Sequence, residues 1–324
     1  MTKETRSDRS DDKKNTSEKH PVTSGASGAG AALTAPAGGA KEPVKPGKLV
    51  FRLFLFFVMY IVYKFLADTI LRLATLALFP AIAPTIGGAV ASHFIVYQTE
   101  GLDIAPDWSA IITGISFVAA GLMIRSKALE YDTKYTPKKE YDKKFALLTG
   151  LVTVSLAVVL NILIYKLGIA ALSQSYTQVA EEQYSCSFIV GLIVYGLMTP
   201  FSEEFMFRGI LYNGLKRMYV GYAPLIMCSA LFAIYHGNGI QGIYGFLASV
   251  FIILSYEKCG RLGICIMIHM LFNISSYVLT YAAEGLGNTG LWTVFGVFVA
   301  AGAAGAYLLY HKKEDKKVSS DDKT

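Results

Sequence analysis

Between Leu49 and Tyr310 the chain is a succession of apolar runs. Each is close to the roughly 20 residues that a helix needs to cross a hydrocarbon core about 30 Å thick. Lipid offers no partner to a peptide N–H or C=O, so such runs must close their hydrogen bonds within themselves, as helices. The two-residue alternation of an outer-membrane barrel is missing. The expected fold class is all-α: a polytopic membrane helix bundle of about eight transmembrane helices.

Charge sets the expected organisation. Residues 1–48 are rich in Lys, Asp, Ser, Gly, Ala and Pro and almost empty of large apolar side chains. They cannot bury enough surface to offset their ordering entropy, which predicts a disordered cytoplasmic N-terminal tail. Residues 49–310 form the transmembrane domain and 311–324 a charged cytoplasmic tail. The net charge of +6 is spread over loops and tails. It reads as an orientation signal and an attraction to the lipid bilayer, with no nucleic acid partner implied.

Leu49–Leu78 reads as one span, interrupted by Lys64, Asp68 and Arg72, with Asp68 and Arg72 placed to pair one turn apart. Phe79–Tyr97 carries Pro80, Pro84 and Gly87-Gly88, which argue for a re-entrant or interfacial piece. The loop Arg125–Lys144 is the most basic and is expected in the cytoplasm. Eight spans then leave both termini cytoplasmic in a multi-pass protein of the cell membrane, here a bacterial plasma membrane. Cys186, Cys228, Cys259 and Cys265 make neither a CxxC pair nor a zinc pattern and read as small apolar residues.

Inside the fourth apolar run stand Glu203, Glu204 and Arg208. A charge at bilayer depth costs about 2.5–3.5 kcal/mol on insertion scales, so it survives where it faces a protein interior or a watered cavity. Glu204 and Arg208 are four apart and can pair, leaving Glu203 free. His236, His269 and Asn273 occupy later runs, the last two on one helix face. The helical rise puts Glu203 about 20 Å from the basic flank at Lys216 and His236 about 21 Å from Tyr222. It puts His269 and Asn273 about 12 and 18 Å from Arg261. Unrelated structural polar residues have no reason to coincide in depth.

These groups suit water activation. A carboxylate in apolar surroundings is a competent base, and a neighbouring His can share the proton. A His and an Asn on one face can donate to an oxyanion. Ser202 is a conceivable nucleophile but has no base at a helical offset. A proton relay in a transporter and a non-catalytic scaffold use the same residue types. Pro200 predicts a kink through Thr199–Glu203.

The motifs Glu203-Glu204-Phe205-Met206-Phe207-Arg208, Phe232…His236 and His269…Asn273 resemble those of the CPBP family. That family holds the type II CAAX prenyl endopeptidases and the bacteriocin-processing or Abi-like proteins. Its pattern is EExxxR, FxxxH and HxxxN on successive membrane helices, matched here over about 188–281. The resemblance implies an intramembrane endopeptidase acting on a membrane-embedded or membrane-proximal peptide substrate. Glu203 and His236 would activate water, His269 and Asn273 form the oxyanion site, and Glu204 and Arg208 support them. No cofactor is required by that scheme. A zinc alternative would use Glu203, His236 and His269, although no HExxH spacing is present. A bacteriocin-immunity or scaffold protein, or a transporter, is the alternative function.

Overall fold

The computed structural model describes residues 46–99, 101–136, 138, 143–169 and 173–321. The polar head expected to be disordered lies outside the described residues as far as residue 45. Helix α1 (Pro46–Ile86) then runs for 41 residues, about 60 Å, twice a hydrocarbon core. It passes through Pro80 and Pro84 and stops at Gly87, whose φ of 84° lies in the left-handed region. Each proline removes only its own N–H bond and crowds one carbonyl, a local loss near the end of a long helix. Phe79–Tyr97 is therefore no separate re-entrant piece. Its first half completes α1, and α2 (Gly88–Ala91) and a hairpin of β1 (Ile95–Gln98) and β2 (Gly101–Ile104) follow, with Ile95 opposite Ile104. Phe94 stacks on Phe79 at 4.1 Å and meets Trp108 edge-on at 5.0 Å, and Trp108 Nε1 donates to Thr75 Oγ1. These contacts tie the hairpin to α1 and to the start of α3 (Pro106–Tyr135).

Helix α4 (Lys143–Lys166) returns from the lysine-rich, basic end, and the short α5 (Gln174–Tyr184) lies at the opposite, far end. The next path, from Phe188 to Leu215, is one helical rod with changes of winding. It comprises α6 (Phe188–Ile193), a π-helical turn Val194–Met198, α7 (Thr199–Glu204), a second π segment Phe205–Tyr212, and α8 (Asn213–Leu215). Every residue from Ser202 to Leu215 is buried. Glycines let α3 come close to this rod. A Cβ on Gly121 would stand 3.0 Å from Ser202 Cα, and one on Gly209 would stand 2.6 Å from Ala128 Cβ.

Helices α9 (Ala223–Tyr235) and α10 (Gly239–Cys259) follow, then α11 (Leu262–Asp321). Helix α11 breaks at Gly287 (φ 59°, ψ −175°). Beyond the break the chain packs back along α4, with Leu291 beside Val158 and Ile162, and Gly302 against Ser155. Helical backbone continues to Asp321, into the stretch expected to be a charged tail, and 322–324 lie outside the described residues.

The molecule is an all-α membrane bundle apart from the hairpin. Among the described residues six helices are long and apolar enough to cross a bilayer, against the eight expected. The difference has two sources. Helix α9 has 13 residues, about 20 Å, shorter than a hydrocarbon core. The stretch Leu262–Leu309 counts once although its chain reverses at Gly287. The four cysteines are buried and free.

Candidate active site

Glu204 is fully buried, and its Oε1 accepts two charge-assisted bonds: Arg208 Nη1 at 2.5 Å and His269 Nδ1 at 2.7 Å. The pairing of Glu204 with Arg208 follows the helical spacing. The second bond, from α11, was not visible in that spacing. Arg208 is also fully buried, and its guanidinium carbon lies 4.8 Å over the Phe232 ring. The same ring meets His236 at 4.7 Å and His269 at 5.4 Å, both edge-on. One aromatic side chain thus spaces the cation and both imidazoles.

A carboxylate only accepts, so His269 carries a proton on Nδ1. Its other nitrogen turns to Glu203, with Nε2 3.7 Å from Oε2, beyond a hydrogen bond. Glu203 is 7% exposed and has no hydrogen-bond partner among the described residues. It opens onto a cavity of about 350 Å³ that His236, Asn273, Thr199, Tyr235 and Lys64 also line. Helix α5 lines it with Tyr176, Glu182 and Tyr184. Burial raises the hydroxyls of Tyr176 and Tyr184 above the ordinary tyrosine range, so both are neutral near pH 7.

His236 closes α9. Its Nδ1 lies 2.7 Å from the Phe232 carbonyl, which can only accept, so the neutral ring keeps a lone pair on Nε2. The chain can turn away at once because Gly237 takes φ 73°. Asn238 then caps α10 by accepting from Gln241 N at 2.9 Å. Gly245 makes room for the ring, since a Cβ there would stand 3.1 Å from His236 Cε1.

Asn273 donates through Nδ2 to the Tyr195 carbonyl at 2.9 Å. Winding explains why that carbonyl is free. Thr199 N–H bonds Val194 C=O, five residues back. In the same register Pro200 would serve Tyr195 C=O, but proline has no N–H. The carbonyl takes Asn273 Nδ2 and Thr199 Oγ1 instead. The kink expected through Thr199–Glu203 is absent, because Thr199–Glu204 is regular α-helix. The irregularity lies one turn earlier, in the π turn.

Of the six residues singled out in sequence, Glu203, His236 and Asn273 meet at the cavity. Glu204, Arg208 and His269 stand behind them, with His269 between the two glutamates. Ser202 is fully buried, bonded to the Phe117 carbonyl at 2.5 Å and to Tyr60 Oη at 3.1 Å, and turned into α3. Among the described residues no three His, Cys, Asp or Glu side chains are grouped as metal ligands. Sequence reasoning missed Lys64 and Tyr235 at the cavity. It also missed Asn161, which donates to Ser276 Oγ at 2.9 Å across the cavity wall. Only Lys64 left a signal, as a charge within an apolar run.

No curated protein and no solved structure matches the chain. Residues 185–275, less than a third of the 324, match the family model described as type II CAAX prenyl endopeptidase Rce1-like. All six site residues fall within that stretch. With the apolar helices, the match makes this a multi-pass membrane protein and supports an intramembrane protease of the CAAX type in general terms. It bears out the resemblance of the region 185–275 to the CPBP family.

Proposed function

We propose that this chain is an intramembrane endopeptidase that hydrolyses peptide bonds of membrane-associated proteins or peptides with an activated water. One observation carries the reading. Arg208 and His269 both bind Glu204, while the adjacent Glu203 is left unbonded at the cavity with His236 and Asn273. A purely structural carboxylate at this depth would be paired.

Water enters between Glu203 and the Nε2 lone pair of His236. As its oxygen bonds to the scissile carbonyl carbon, its proton passes to Glu203. The oxyanion receives the second N–H of Asn273, whose first is spent on Tyr195, and His269 is the second group of the oxyanion site. Collapse breaks the C–N bond, and the proton held by Glu203 leaves on the amine. Each oxyanion donor is worth about 2.7–4 kcal/mol in such sites. The basic end faces the cytoplasm in this reading, supported by the lysines of 125–144. Bacteriocin-like precursors of a bacterial plasma membrane are the substrates the resemblance favours.

The test is cleavage of a membrane-peptide library by purified protein in lipid nanodiscs, read by mass spectrometry. Products from wild type, with none from Glu203→Ala or His236→Ala, support the proposal. Equal products from all three overturn it, as does substrate accumulation in proteoliposomes without peptide products.

A further inference from the structure

The mechanism leaves one cation of the cavity unused. Lys64 Nζ donates to Tyr235 Oη at 2.9 Å and lies 4.4 Å from the Phe117 ring centroid and 4.9 Å from that of Tyr235. No carboxylate among the described residues comes within ion-pair distance of it. Asp68, one turn along α1, is held by Arg72 at 2.7 Å, and Arg72 also donates to Ser109 and Thr113. Two cations of α1 thus differ in kind: Arg72 is ion-paired, and the direct contacts of Lys64 are a hydroxyl and two aromatic rings.

Its position makes that costly. Lys64 is about 24 Å along α1 from Lys48, inside an apolar span whose hydrocarbon core is about 30 Å thick. A lysine without a task reaches for the nearest interface. This one turns into the cavity, against two aromatic rings. Cation–π contacts return only part of the cost of inserting the charge. An ammonium has three donors, and Tyr235 takes one.

We infer that Lys64 is the subsite for a carboxylate of the substrate, and so a specificity-determining residue of this cavity. The inference rests on the peptidase reading for its ligand being a peptide. The carboxylate is supplied by a free C-terminus or by an Asp or Glu side chain, which offer the same two oxygen acceptors. It brings the charge that the aromatic rings and Tyr235 cannot, and it docks beside Glu203, His236 and Asn273 rather than among lipids.

Three fluorescent apolar decapeptides test this: one with a free C-terminal carboxylate, one C-terminally amidated, and one amidated with a single internal Glu. Their binding to full-length protein in neutral-lipid nanodiscs is followed by anisotropy on a Glu203→Gln background, with Lys64→Met and Lys64→Arg added in turn. At least one carboxylate form should bind about tenfold more tightly than the plain amide. That ratio should fall near one in Lys64→Met and persist in Lys64→Arg, which also guards against misfolding of the methionine variant. Which form is favoured identifies the source of the carboxylate. Equal binding of all three, no binding at all, or a preference that survives in Lys64→Met overturns the inference. Hydrolysis assays on otherwise wild-type protein separate the two claims. Lys64-dependent carboxylate selectivity without any cleavage sinks the peptidase reading alone, and cleavage without that selectivity sinks the subsite alone.

Discussion

His269 and Glu204 are joined across two helices by a 2.7 Å hydrogen bond, and the same imidazole faces Glu203 with its other nitrogen. Adjacent glutamates thereby acquire different duties. One is fixed by a guanidinium and an imidazole, and its neighbour is left to the cavity.

That division predicts opposite costs for one chemical change. Glu204→Gln takes the carboxylate from the fully buried Arg208, and breaking a buried pair from one side costs about 3–5 kcal/mol. Thermal unfolding in detergent should show a large loss of stability. Glu203→Gln breaks no hydrogen bond, so it should unfold within a few degrees of wild type while hydrolysis falls by about 10²–10⁴-fold.

Pro200→Ala should raise stability and lower turnover. Alanine is favoured over proline inside a helix by about 3 kcal/mol. It also restores an N–H opposite the Tyr195 carbonyl, which would compete with Asn273 for that acceptor. A higher unfolding temperature with a reduced kcat is expected. Unchanged turnover would show that Asn273 needs no such anchor.

Asn273→Ala removes the tether and the proposed donor together. Loss of one oxyanion donor costs about 10²–10³ in kcat, with the larger share in kcat rather than KM. Steady-state kinetics on one cleaved peptide would read the split.

Gly121→Ala should destabilise without touching the cavity. The added methyl would stand 3.0 Å from Ser202 Cα, so α3 must move off the site rod. Overpacking of this kind costs about 1–3 kcal/mol, measurable by chemical or thermal unfolding.

Chelators should leave hydrolysis at its untreated rate. Among the described residues no three His, Cys, Asp or Glu side chains are grouped as metal ligands. Elemental analysis showing stoichiometric zinc, with activity lost on its removal and regained on its return, would replace the water-and-glutamate scheme.

Much of this was legible because charges in lipid are few and helical spacing is rigid. The pairs Asp68–Arg72 and Glu204–Arg208 follow from a separation of four residues, and both are present at short distance. The convergence of Glu203, His236 and Asn273 followed from equal depth. The bond from His269 to Glu204 did not, because it depends on the rotation of α11 about its own axis, which depth leaves open. The length of α1 was hidden by Pro80 and Pro84, whose cost a long helix absorbs. The hairpin at Ile95–Gln98 and Gly101–Ile104 lay in a stretch dominated by breakers and gave no period long enough to read.

The π turn at Val194–Met198 acts as a choice of reading frame for the three residues Ser202-Glu203-Glu204. Such a turn absorbs one residue relative to α winding, and one residue is about 100° of rotation. Wound as plain α-helix, the rod would carry Glu203 round to where Glu204 now meets His269. Ser202 would then stand at the cavity, offering a hydroxyl where the chemistry asks for a carboxylate. The identity of the proposed base is thus written twice, once in the letters and once in the pitch of the helix above them.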